Sequence, residues 1–448
     1  MKTLTILVIL ATFIQAPAQS VLQRYIDEGL QNNLQLKQEE LNYEKSVENA
    51  NIARSYQLPQ IGLNANYTLA HGGRKIELPL GDLMNPVYST LNNLTGSNQF
   101  PQLANQSIQF LPNNFHDTKI RVIQQIFNPD IYFNYKAQKE LISVQQAQRN
   151  AYENELKYSI SAAYYQFLQT EEALKVLRET RGFLSELLKV NQKLVANQKA
   201  TKDVVLGAEY EINKIDQQLA EAAKNNEVAK AYFNFLLNKD LASEIIIDST
   251  LMASSDDTQD IEQLRELALS QRQEIKQLQG GLEASGKIVD LNRHSAMLPK
   301  INVVGDIGYQ GFEYKFDNSQ QYALVVFSLS WDIFKGGEKR AKTQQARIDY
   351  QVVENKMEQL RRQIELQVIQ THYERKASEQ AWATAQSGVR SAEKNFQIIR
   401  SKYNEGQALM IEFLDAQNKW TTSRLTQSIR LFDLLRAEAA LQKTIASI

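Results

Sequence analysis

The sequence predicts a mainly α-helical chain made by internal duplication, in which each half joins a long helical hairpin to a pair of β-strands. Three observations predict it. The prolines fall at 17, 59, 79, 86, 101, 112, 129 and 299, leaving 130–298 and 300–448 open to long helices. Within those stretches apolar residues recur at helical spacing for about 65 residues at a time, near 100 Å at the helical rise. After two Leu-Pro dipeptides, Leu58-Pro59 and Leu298-Pro299, the apolar period changes from helical to twofold.

Composition removes several function classes. Of 448 residues, 50 are Lys or Arg and 51 are Asp or Glu, so no positive excess exists to displace counterions from a nucleic acid. The chain has no cysteine, which excludes disulfides, thiolate nucleophiles, zinc-cysteine sites, iron-sulfur clusters and an N-terminal lipidated cysteine.

The elements follow in order. Met1 and Lys2 precede an apolar run from Leu4 to Ile14 and then Ala16-Pro17-Ala18, the pattern of a secretory signal peptide over 1–18. The first repeat, 19–240, opens with a helix from Val21 to Gln57. A strand pair comes next, at about 59–71 and 115–128, with Ile61, Leu63, Ala65, Tyr67 and Leu69 opposite Ile120, Val122, Gln124 and Ile126. A rod from Tyr132 to Gln198 breaks at 196–201 and returns from Asp203 to Leu237. After a linker, 241–257, the second repeat, 258–448, repeats the plan. It has a helix from Ile261 to Ala296, strands at about 299–312 and 320–334, a rod from Lys335 to Tyr403, a break at 404–408 and a return from Ile411 to Ile445. Gly406 in that break supplies the left-handed residue that a helix C-cap favours. Tyr165 answers Tyr373, and Val205-Leu206 answers Phe413-Leu414.

The strands are about ten residues long, and Tyr309, Tyr322, Trp331, Phe334 and Phe127 near their ends suit the aromatic girdles of an outer-membrane barrel. Four strands cannot close, since the smallest membrane barrels have about eight, and open edges are forbidden in lipid. Several chains must therefore share one barrel, two giving eight strands and three giving twelve. Three is favoured, because side chains fill an eight-stranded interior.

Taken together, the signal peptide, duplicated helix, Leu-Pro turn, strand pair, rod, tip and return helix resemble the TolC-like outer-membrane efflux protein family over essentially the whole mature chain. The most specific piece is Arg400-Ser401-Lys402-Tyr403-Asn404-Glu405-Gly406 followed by Leu409-Met410-Ile411-Glu412-Phe413-Leu414-Asp415-Ala416-Gln417. It is similar to the family's R-Y-x-x-G and V-D-V-L-D-A-Q stretches. The resemblance implies a homotrimer in the cell outer membrane, with a shared twelve-stranded barrel and a periplasmic α-helical barrel. It also implies an exit duct, coupled through a periplasmic adaptor to an inner-membrane efflux pump or secretion transporter, with no enzymatic reaction and no cofactor.

The resemblance further implies pore residues. Glu412 and Asp415, three apart on one helix face, match family acids at the narrowest part of the tunnel; in a trimer they would form two carboxylate rings. A solvated helix face is the alternative. Tyr403, Gly406 and Asp203 match a tip gate in which a tyrosine and an arginine contact an aspartate. The arginine's position is Ala408, so Lys199 or Lys202 would have to replace its charge.

Other motifs carry less. Gly281-Leu282-Glu283-Ala284-Ser285-Gly286-Lys287 imitates a phosphate-binding loop, but Ile288 follows it and no strand precedes it. His71, His116, His294 and His372 lack metal-site spacing, although His71 and His116 flank the same long loop and could approach each other. Two other function classes are weighed. A soluble periplasmic coiled-coil adaptor should lack paired alternating strands, and an exported hydrolase should offer a convergent nucleophile and base.

Overall fold

The computed structural model describes residues 20–248 and 260–447. The expected signal peptide, and 249–257 of the expected linker, lie outside the described residues. The helices are α1 (Val21–Asn32), α2 (Leu34–Ser55), α3 (Leu80–Thr95), α4 (Pro129–Ala196), α5 (Asp203–Leu236), α6 (Ile261–Gln271), α7 (Gln273–Met297), α8 (Glu338–Asn404) and α9 (Met410–Thr444). The strands are β1 (Gln60–Thr68), β2 (Lys75–Leu78), β3 (Gln106–Gln109), β4 (Phe115–Phe127), β5 (Lys300–Phe312) and β6 (Gln321–Ser330). The rods and returns fall where the apolar spacing puts them, with α4 and α8 continuous over 68 and 67 residues.

Two differences from the sequence expectation stand out. Each repeat's opening helix is broken, at Asn33 and at Arg272, where the backbone turns extended. Asn33 caps α2, accepting from Leu36 N at 3.0 Å while its amide donates to Leu236 O at 2.9 Å. Arg272 instead reaches Glu274 and Gln367, at 2.7 and 2.9 Å. Neither break carries glycine or proline, so helical spacing runs through both. The second difference is the long connection after β1, which is not plain loop: it holds the antiparallel β2–β3 pair, with α3 between the two strands in sequence. Pro86 lies inside α3, a position that costs about 3 kcal/mol in a free helix and hid the helix in the sequence.

The described residues form two compact units, 20–47 with 140–248, 260–283 and 351–447, and 48–139 with 284–350. The first has three apolar clusters. One gathers Tyr25, Ile160, Tyr164, Phe233 and Leu237. Another gathers Leu264, Ala268, Ile364 and Val368, and the third Leu184, Leu187, Ile215, Phe396 and Phe413. Tyr164 shows how polar tips are satisfied inside: its hydroxyl donates to Ile246 O at 2.9 Å and accepts from Asp248 N at 2.9 Å.

The second unit carries a four-stranded antiparallel sheet in the order β1-β4-β5-β6. Its central β4–β5 pairing joins the strands of one repeat to those of the other. Ile61 pairs with Val122 and Leu63 with Ile120, Ile120 with Ile307, and Ile307 with Ala323 and Val303 with Phe327. Paired residues share a face, so this register gathers one apolar face. Ile61, Leu63, Ile307, Val325, Phe327 and Leu329 are exposed on it. The opposite face carries Asn64, Asn66, Asp117, Lys119, Arg121, Asp306 and Tyr322, along with Leu324 and Val326. Both outer strands, β1 and β6, are open edges.

Candidate functional site

At the tip, Gln198 lies just beyond the end of α4 and Gly406 just beyond the end of α8, both left-handed, at φ 56° and 75°. In each, a backbone N–H reaches back to the preceding turn, Lys199 to Leu194 O at 2.8 Å and Gln407 to Lys402 O at 2.7 Å. The ends of the two hairpins are joined by Asn191 on α4, a residue that no sequence motif singles out. It is wholly buried, with 0% exposure. Its Oδ1 accepts from the Tyr403 hydroxyl at 2.8 Å. Its Nδ2 donates to Val204 O at 3.0 Å and lies 3.6 Å from Met410 Sδ. One amide thus ties α4, α5, α8 and α9 together. A lone Asn in the core register Leu184, Leu187, Asn191, Leu194 is the signal that could have found it.

Tyr403 packs on Phe413 at 5.1 Å between ring centroids, and burial pushes its phenol above the ordinary value, so it remains a donor. The expected contact between Tyr403 and Asp203 is not made within the chain, because Asn191 offers the nearer buried acceptor. Asp203 opens α5 and its carboxylate accepts from the Thr201 hydroxyl. Lys199 and Lys202 are exposed.

Glu412 and Asp415 are both exposed in the first turns of α9. The Glu412 carboxylate accepts from Leu409 N at 2.8 Å and so caps its own helix. Asp415 pairs with Lys419 at 2.7 Å. The face is therefore acidic but partly neutralised, which the spacing of the two acids alone does not reveal.

Among the expected girdle aromatics, Tyr309 lies on the apolar face of the sheet, and Phe127 joins it opposite Ile301 after a bulge between Gln125 and Phe127. Trp331 and Phe334 follow the end of β6 and are exposed. Tyr322 departs from this group: it lies on the opposite face, where its hydroxyl donates to Asp117 Oδ1 at 2.9 Å. There it joins an ion network. Asp306 accepts two bonds from Arg121, at 2.8 and 2.7 Å, with Lys119 at 3.7 Å and Asp117 2.5 Å from Lys119.

The phosphate-loop look-alike at 281–287 lies inside α7, where its amides serve the helix. His116 is buried on β4 with Nε2 2.9 Å from Gln320 Oε1, between Tyr314 and Phe316. His294 stacks on Phe133 at 4.6 Å. Among the described residues no group of His, Asp or Glu is arranged to hold a metal, and no helix is long and apolar enough to cross a membrane.

The chain thus offers two features for comparison, long helical hairpins and a four-stranded sheet with opposed apolar and polar faces and two open edges. A family model for Outer membrane efflux protein matches residues 264–447 of the chain. Comparison with curated proteins gives no match. Among solved structures, the fold is shared with the Campylobacter jejuni CmeC outer membrane channel, 15% identical over 95% of this chain and 85% of that one, at a TM-score of 0.77. It is also shared with the open state of the Neisseria gonorrhoeae MtrE outer membrane channel, 18% identical over 95% and 88%, TM-score 0.74. VceC from Vibrio cholerae is 15% identical over 95% of both chains, TM-score 0.74. At these identities the likeness shows a shared fold.

Proposed function

We propose that three copies of this chain form an exit duct across the outer membrane. Their twelve strands close one barrel, and their helical hairpins line a periplasmic tunnel that receives cargo from an inner-membrane transporter through an adaptor. The observation that carries this reading is the sheet. Its apolar face of Ile61, Leu63, Ile120, Ile307, Val325 and Phe327 suits lipid, its charged face suits an aqueous lumen, and its two open edges demand further strands. Tyr309, Phe127, Trp331 and Phe334 serve as the girdle, and Tyr322 belongs to the lumen. A soluble adaptor would leave the apolar face in water. At the tunnel end, Glu412 and Asp415 ring the aperture, and the Asn191–Tyr403 node with Gly406 and Asp203 holds the tip. The 69–114 connection, much longer than the turn joining β5 to β6, faces the cell exterior.

Mass photometry of the detergent-extracted outer-membrane fraction tests the assembly; a monomer that stays soluble without detergent overturns it. An epitope inserted at Ser97, beyond the left-handed Gly96 that ends α3, tests topology. Labelling of intact cells is expected, and labelling only after permeabilisation refutes it.

A further inference from the structure

Helix α3 is folded inside out. Its Asp82, Asn85, Ser89 and Asn92 face the return segment of its own loop, with Tyr88 packed there on Phe100, and most of its aliphatic residues face away. Asn85 makes a two-point bond to Leu103, donating to its carbonyl at 2.9 Å and accepting from its N–H at 2.7 Å. Asn92 does the same with Phe100, at 2.8 and 3.1 Å. Asp82 accepts from Asn105 Nδ2 at 2.9 Å, and Gln102 donates to Ser89 at 3.1 Å. These amides imitate a strand ladder along one side of a helix. The approach is close enough that a Cβ on Gly81 would stand 2.3 Å from Leu103 O.

The other side is apolar and uncovered. Leu80, Leu83, Val87 and Leu94 follow the a and d spacing of a heptad, with Met84 beside them. Leu83 is 66% exposed and Leu94 79%. A helix in contact with water normally turns the opposite way, so this stripe is built for an apolar neighbour.

The chemistry selects which neighbour. From Leu80 to Phe115 the only charged residue is Asp82, which is already tied to Asn105. Helices that lie on a lipid surface use Lys and Arg to hold anionic head groups, and α3 has none. The loop also leaves the sheet from β1, an open edge at which another copy of the chain must pair if the barrel is to close.

We propose that the apolar stripe of α3 is a self-association surface. In the assembled protein, the α3 helices of neighbouring copies pack stripe to stripe beyond the ends of the strands. This rests on the trimeric reading given above. It adds a second contact between copies, outside the barrel wall, made by residues 80–94.

The chain has no cysteine, so single-cysteine variants report one position each. Leu83→Cys and Leu94→Cys lie on the stripe, and Ser89→Cys lies on the braced side. Assembled protein in outer-membrane vesicles is treated with a thiol oxidant, then run on a denaturing gel, while mass photometry records the oligomer. The expected result is a covalent dimer at Leu83→Cys and Leu94→Cys, forming at least about tenfold faster than at Ser89→Cys because packing raises the local thiol concentration. Intact trimers with no stripe-specific dimer overturn the proposal. Trimers whose stripe cysteines carry a spin label relaxed by membrane-dissolved oxygen overturn it in favour of lipid. A monomer by mass photometry removes the trimeric reading itself, and the proposal with it.

Discussion

Replacing Asn191 with Leu keeps the volume of the side chain and deletes its polar atoms, which isolates the hydrogen-bond node at the tip. Two bonds are lost, one from Tyr403 at 2.8 Å and one to Val204 at 3.0 Å. The Val204 bond is worth about 1 kcal/mol net, and stranding the half-buried Tyr403 hydroxyl costs about 1–3 kcal/mol more. The tip should therefore open more readily by about 2–4 kcal/mol, a factor between about 30 and several hundred in its opening equilibrium. Tyr403→Phe strands the Asn191 oxygen instead, at a similar cost of about 1–3 kcal/mol. Because each variant already breaks the shared bond, the double variant should cost less than the sum of the two by about 1 kcal/mol or more. Hydrogen–deuterium exchange of amides in 194–206 and 402–412 reads the opening free energy directly. Unchanged exchange in Asn191→Leu, or strictly additive effects, would refute the node as the tie between the hairpins.

Glu412→Gln/Asp415→Asn should abolish cation preference and trivalent-cation block in planar bilayers without unfolding α9, since Gln retains an acceptor for Leu409 N. Lys419→Gln should deepen the block by freeing Asp415 of its counter-charge, and unchanged block in both variants would take these residues out of the pore. Asp306→Asn should weaken the β4–β5 pairing that Arg121 braces with two bonds, and so lower the temperature at which the trimer proposed above dissociates on an unboiled gel. Burial pushes the Tyr164 and Tyr165 phenols up to about 12. Their neutral forms favour the folded state, so stability should be flat below the unfolded phenol value of about 10 and fall as pH rises toward 12. Comparison with Tyr164→Phe/Tyr165→Phe isolates the pair: a loss of helical signal between about pH 10 and 12 that the double variant shares in full would contradict this.

Local chemistry determined much of this protein. Apolar spacing and the absence of proline set α4, α5, α8 and α9, because a helix period repeated over many turns admits no other regular structure. Leu-Pro dipeptides set the starts of β1 and β5, and alternation set which strand residues share a face. Gly406 marked the turn of the second tip, whereas its counterpart Gln198 takes the same left-handed backbone without glycine to signal it. Tertiary structure decided what depends on partners distant in sequence. Asn33 and Arg272 break their helices through side-chain bonds to Leu236 and Gln367, and Asn191 becomes a node only when Tyr403 arrives from the other repeat. Tyr322 reads as a girdle aromatic until the register sets it opposite Gly308 on the charged face. Helix α3 survives Pro86 because Asn85 and Asn92 find Leu103 and Phe100. Sequence periodicity records which side of an element is apolar; what that side meets depends on non-local packing, and a hydrogen bond's partner is fixed only when the chain has closed around it.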